Sequence, residues 1–309
     1  MRNARKIPSP SRESEGWPWT ERGKPVPETH PDGDSWPKIS VVTPSYNQGA
    51  FIEQTIRSVL LQGYPNLEYI VIDGGSDDES VEIIRKYEDW IDYWVSEADR
   101  GQSHAINKGF AQASGDIYAW LNSDDYYLPD TLRLFGEAVN ESPEAVLWAG
   151  ACLEVDPDGE PRQHLPPRNL DTSDLQRAVA DWWEVAFFHQ PASCMSAEAF
   201  HRVGEVDEEL RFAMDVDLWI RLANEGDFIA LEDTVAHANM HEGIKSWTDQ
   251  DLREAEMIAV AIKNDLPEVA RERLTRFADD RFEGAPYEEV LKLIWRRLKK
   301  KVLSTVGIG

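Results

Sequence analysis

The sequence predicts an α/β fold: a mostly parallel central sheet flanked by helices, with further helices at the C-terminus. Three observations carry this. Short β-branched or aromatic runs alternate with amphipathic stretches of helical length through the first half, the pattern of a parallel sheet with crossover helices. Each strand-to-helix junction in that half is polar, and such sheets bind ligands at the carboxyl ends of their strands. The fourth strand ends abruptly in Asn122-Ser-Asp-Asp125, with two adjacent carboxylates closing a buried run.

Taken in order, residues 39–43 form a first strand, stopped by Pro44-Ser-Tyr-Asn47. Phe51, Ile52, Ile56, Val59 and Leu60 then recur at helical spacing. Residues 69–72 form a second strand, broken by Asp73-Gly-Gly-Ser-Asp-Asp78, and 80–87 a second helix. Residues 93–95 are a third strand, ended by Glu97-Ala-Asp-Arg-Gly101, with a helix expected over 103–113. Residues 117–121 are the fourth strand and 130–139 the helix after it. Beyond this the regularity weakens. Strands are expected at 145–150 and 228–230, a hairpin turn at Asp156-Pro-Asp-Gly159, helices at 196–203 and after Met214, and a further helix from Thr248.

At 309 residues and 41% apolar content the chain suffices for one large domain with an appendage. No apolar run reaches the ~18 residues of a spanning helix, and no signal peptide is read at the N-terminus. Cys152 and Cys194 show neither metal-ligand spacing nor a disulfide framework, so a reducing, cytosolic setting is expected. The net charge of −25 argues against a nucleic-acid partner. It fits an acidic surface adapted to a high-salt habitat or simply an acidic soluble protein.

Two carboxylates at a strand end repel one another. A Mg²⁺ or Mn²⁺ ion would relieve this at Asp124 and Asp125, and such ions favour oxygen ligands beside phosphate. The alternative is an Asx-turn with a helix cap.

Together, Thr43-Pro-Ser-Tyr-Asn47, Asp73-Gly-Gly-Ser-Asp-Asp78, Ser96-Glu-Ala-Asp-Arg-Gly-Gln102, Asn107-Lys-Gly109 and Trp120-Leu-Asn-Ser-Asp-Asp125 resemble the motifs of family 2 glycosyltransferases. The resemblance covers roughly residues 38–250. It implies the GT-A fold, a Rossmann-like nucleotide-diphospho-sugar transferase fold, and transfer of a sugar from a nucleotide-diphospho-sugar with inversion. It implies that Pro44, Tyr46 and Asn47 cradle the nucleoside and that Asp73 meets the base, with an Asx-turn as the alternative for Asp73. Arg100 and Lys108 would meet phosphate. Asn122-Ser-Asp-Asp125 aligns with a metal motif often written Asp-x-Asp, here with Asn122 in first position. Asp124 would hold diphosphate and metal, Asp125 would extend the metal site, and His241 would lie near the metal, with Lys245 and Ser246 at phosphate. Asp215 matches the general base; Met214 replaces the acid usual before it, and Asp217 reads as a helix cap. Gln190 would bond an acceptor hydroxyl, and Trp182 or Trp183 offers a face to a sugar ring or packs in the core.

The expected organisation is an arm over 1–36, poorly ordered and rich in proline, a glycosyltransferase domain over 37–250, and a helical extension over 251–309. The domain divides into a nucleotide-binding half, 37–140, and an acceptor half, 141–250. In the tail, 287–303, basic residues stand beside Trp295 and an apolar stripe. This reads as peripheral attachment to an anionic membrane surface on the cytoplasmic face, where a lipid-linked saccharide would be the acceptor, or as a helix packed on the domain. Two other classes make different demands on the sequence. A non-catalytic nucleotide-sugar-binding protein would not need the candidate base. A dinucleotide oxidoreductase would need a Gly-x-Gly-x-x-Gly turn that residues 44–49 lack.

Overall fold

The computed structural model describes residues 7–11, 13–30, 33, 35–156, 159–241 and 248–281. The expectations for Lys245, Ser246 and the basic tail at 287–303 lie outside these residues. The first half comprises β1 (Ile39–Ser45), α1 (Ile52–Leu60), β2 (Leu67–Asp73), α2 (Ser80–Lys86), β3 (Tyr93–Ser96), α3 (Gln102–Phe110) and β4 (Ile117–Trp120). The strands pair in parallel in the order β3-β2-β1-β4. β1 is buried along its whole length because both faces of the sheet are covered. Ile39 and Val41 pack with Ile52, Ile56 and Ile84 on one face, and Val42 packs with Ala105, Ile106 and Phe110 on the other. The period of two thus divides α1 and α2 from α3. α3 approaches so closely that a Cβ at Gly109 would lie 2.3 Å from a Val42 methyl.

The second half adds β5 (Tyr126–Tyr127), α4 (Thr131–Glu141), β6 (Leu147–Val155), β7 (Pro161–Leu165), α5 (Leu175–Ala180), β8 (Ser193–Ser196), α6 (Ala197–Val203), α7 (Met214–Ala223), β9 (Phe228–Asn239), α8 (Gln250–Lys263) and α9 (Pro267–Arg281). Here the sheet becomes mixed. β8 lies antiparallel between β4 and β6, β9 runs parallel to β6, and β5 closes the order antiparallel to β9. β7 forms a hairpin with β6. Residues of α5 to α9 share the core that covers the α3 face of the sheet.

The described residues among 7–30 form no helix or strand and are held by polar anchors, most of them on α1. The buried Arg57 guanidinium donates to the carbonyls of Pro8, Pro18 and Trp19 at 2.8–3.0 Å. Glu53 accepts from the Ser11 amide, and Trp17 Nε1 donates to the Tyr127 carbonyl at 2.7 Å. No helix among the described residues is long and apolar enough to cross a membrane.

Candidate active site

The carboxyl ends of β1, β2 and β4 open onto a cavity of about 1730 Å³. Its wall includes the junction after β4, the start of α7 and the segment around Trp183. That volume exceeds the several hundred Å³ of a small-molecule pocket and suits two substrates side by side.

The motif after β4 is held by a chain of side-chain amides. Gln190 Nε2 donates to the Trp120 carbonyl at 2.7 Å, and a carbonyl can only accept, so Gln190 Oε1 must face Asn122. Asn122 Nδ2 then donates to Gln190 at 3.1 Å and to the Asp125 carboxylate at 3.3 Å, leaving Asn122 Oδ1 to accept from Gln102 at 2.8 Å. Asn122 is therefore a positioning group. So is Gln190, whose amide is engaged at both ends where it lines the cavity.

The two carboxylates differ. Asp125 is 7% exposed, and its carboxylate also accepts from the Asn239 amide. Burial, and then the neighbouring Asp124 charge, push its carboxyl well above the usual range. Asp125 is thus mostly buried, bonded on its inner side, and still part of the cavity wall beside Asp124. Asp124 is more open, and its Oδ2 lies 3.2 Å from His241 Nε2. β5 and β9 make this pair: they align Tyr126 with His237, and Asn239 bonds the Asp124 carbonyl at 2.5 Å. The His241 ring is stacked on Phe51 at 4.6 Å. Among the described residues no three His, Cys, Asp or Glu side chains converge as a metal cluster.

At the β1 and β2 ends, Pro44 and Tyr46 line the cavity, and Tyr46 is 64% exposed. Asn47 takes a left-handed backbone, φ 53°, and bonds the Asp73 loop through Ser76 and Asp77 rather than lining the cavity. Asp73 is fully buried and bonded within its own loop and to β3. It accepts from the amides of Gly75 and Ser76 and from the hydroxyls of Ser76 and Ser96. These bonds make an Asx-turn of the Asp73 loop. The carboxylate lining the cavity at this end is that of Asp99, lying against Gly74 and accepting from Gly101. Arg100 lines the cavity and pairs with Glu208 at 2.6 Å, whereas Lys108 pairs with Glu97 away from it.

Asp215 lines the same cavity from the first turn of α7, its Oδ1 accepting from the Val216 amide at 2.8 Å. Asp217 is no cap: it is fully buried and paired with Arg221 and Lys263, each at 3.0 Å. Trp182 is core, packed on Phe188 and Trp219. Trp183 is 45% exposed, lines the cavity and stacks on Phe187 at 4.0 Å.

Comparison with known proteins bears on the family and the fold. The family model described as "Glycosyl transferase family 2" matches residues 40–204, more than half of the chain. An uncharacterized glycosyltransferase of Rickettsia conorii is 26% identical over 256 residues, 81% of this chain and 40% of that protein, so the chain spans less than half of that relative. An uncharacterized glycosyltransferase of Mycobacterium tuberculosis is 40% identical over 117 residues, 37% of this chain and 45% of that protein. Among solved structures, S. aureus TarS in complex with UDP-GlcNAc superposes with a TM-score of 0.58 at 18% identity, covering 80% of this chain and 73% of its own. The mannosyltransferase PcManGT from Pyrobaculum calidifontis, in complex with GDP-Man and Mn²⁺, gives 0.56 at 19% identity, covering 89% and 83%. The fold is GT-A, and the chain belongs to glycosyl transferase family 2.

Proposed function

We propose that the chain transfers a sugar, with inversion, from a nucleotide-diphospho-sugar to a hydroxyl of a saccharide or lipid-linked saccharide. The observation that carries this is one cavity lined both by Asp124, at the end of β4, and by Asp215, at the start of α7. The diphosphate end and the acceptor end of a displacement need such a pair on one cavity. Residues 37–140 supply the donor side and 141–250 the acceptor side.

Asp124 and His241, side by side and both able to donate a lone pair, would hold a Mg²⁺ or Mn²⁺ ion. When bound, such an ion neutralises charge on the departing nucleoside diphosphate. Pro44 and Tyr46 bracket the nucleoside. Arg100 is offered to phosphate, since its exposed pair with Glu208 contributes little and can be exchanged. Asp215 takes the proton of the acceptor hydroxyl as its oxygen attacks the anomeric carbon, and the breaking C–O bond leaves its electron pair on the diphosphate. Trp183, on Phe187, offers a face to the acceptor sugar. The solved neighbours with UDP-GlcNAc and with GDP-Man and Mn²⁺ support a donor of this class.

Thermal shift with UDP and GDP, each with and without Mn²⁺, tests the donor side, because a ligand of the folded state raises its stability. Nucleotide-sugars of the stabilising base then test transfer to saccharide acceptors. No shift with either diphosphate, together with no nucleotide release from UDP-GlcNAc or GDP-mannose, would overturn the reading.

A further inference from the structure

We propose that Glu256 of α8 is a positioning residue for the reaction, acting through Asp215. This rests on the assignment of Asp215 as the base. Backbone N–H groups at and just before a helix start need partners, and Ala213, the cap residue of α7, makes no side-chain capping bond. Glu256 supplies partners, from another helix, to the segment that enters α7. Its carboxylate, 3% exposed, accepts from the amides of Arg211 at 2.9 Å, Phe212 at 2.6 Å and Ala213 at 3.2 Å. These three residues immediately precede Met214 and Asp215. A buried carboxylate is costly unless its bonds compensate, and charge-assisted bonds to N–H groups are the strong kind.

The approach to α7 is held from a second side by α3. Asn107 brackets Val206, accepting from its amide at 3.0 Å and donating to its carbonyl at 2.8 Å, and Ser103 Oγ lies 2.7 Å from Met214 Sδ. Asp215 in turn bonds its own helix through the Val216 amide. Its location in the cavity therefore follows that of the α7 first turn, and Glu256 ties the segment entering this turn to the C-terminal helices. Glu256 lies outside the residues matched by the family model.

The test compares E256A, E256Q, D215N and the double variant D215N/E256A, using UDP-GlcNAc and GDP-mannose with Mn²⁺ as donors. E256A is expected to lower kcat about 10- to 100-fold, as misplacement of a catalytic group by a fraction of an ångström does, with UDP or GDP affinity unchanged. E256Q keeps an acceptor oxygen and recovers most of the rate. D215N/E256A is expected to be no slower than D215N, because a residue acting through Asp215 has nothing left to act on. If E256A does not fold, E256Q decides by the same measures: a reduced kcat, unchanged diphosphate affinity and no further loss on D215N. Equal losses in the wild-type and D215N backgrounds, or kcat within about twofold of wild type in both Glu256 variants, would overturn the proposal. Absence of wild-type turnover would overturn the reading of the site itself, and this proposal with it.

Discussion

His241 Nε2 lies 3.2 Å from Asp124 Oδ2, although 117 residues separate them in the chain. The two-residue strand β5 makes the meeting, by running the motif after β4 antiparallel to the end of β9. Phe51 stacks under the imidazole and fixes its plane. The pair should act as a unit toward a metal. D124N and H241A are each expected to reduce the Mn²⁺-dependent gain in UDP or GDP affinity by at least about tenfold, read by calorimetry with and without the ion. Full retention of that gain in both variants would remove the pair from the metal site.

Asp215 predicts a different signature. D215N preserves shape but cannot accept a proton. Transfer should fall by roughly 10²–10⁴-fold while nucleoside diphosphate affinity stays near that of the wild type. Steady-state kinetics beside a binding titration separates the two, and near-wild-type turnover would reject Asp215 as the base.

Asn122 stands where the family motif usually has an acid, and the amide chain explains the change. Only an amide can donate to both Gln190 Oε1 and Asp125 while accepting from Gln102. N122D would remove the donor and set a third carboxylate beside Asp124 and Asp125. It is expected to destabilise the protein by about 1–3 kcal/mol, the cost of leaving a buried acceptor unpaired. Denaturant unfolding measures this. Unchanged stability would mean that Asn122 does not position the motif.

The first half was legible because each strand there is a continuous apolar run ended by a polar junction, and the order of motifs added the family. The second half was harder to read for reasons of length and distance. β8 has four residues, β5 has two, and β9 carries polar residues along its exposed stretch, so period-two reading found only its start. Side-chain direction was also hidden. Asp73 and Asp125 stand at the strand ends that the sequence indicates, but only the folded chain reveals the hydrogen-bond partners of each carboxylate. Glu256 gave no signal, since a single Glu in a helix reads as surface. Its role emerges only when α8 is packed on the approach to α7.

Glu68 supplies a pH prediction away from the site. It joins β2 to the start of β1 and the turn before β4, accepting from Lys38, Ser40 and Ser114. Burial alone would raise its carboxyl, but these hydrogen bonds outweigh it and hold the group down at about 2. A depressed acid stabilises the fold above its unfolded value, and that contribution is lost as pH falls through the folded value. The window therefore runs from about 4.5 down to about 2. E68Q should be less stable than wild type by about 1–2 kcal/mol near neutral pH, allowing for solvent screening. The two stability curves should converge as pH approaches that lower bound, and a constant difference throughout would contradict the assignment.

Trp183 combines three properties that a packing residue does not need together. It is 45% exposed, it lines the cavity, and its backbone sits at φ 74°, which is costly for a bulky side chain. The conformation is held by Arg168 donating to the Trp183 carbonyl and by the Trp183 amide donating to Ala186. Glycine would relieve the backbone cost, so W183G should be at least as stable as W183A. If the indole is a sugar platform, both should raise the acceptor KM about tenfold, the order of one lost stacking contact, with donor KM unchanged. W183F, which keeps a ring over Phe187, should recover most of the acceptor affinity. Acceptor kinetics that ignore all three changes would leave Trp183 without a part in substrate binding.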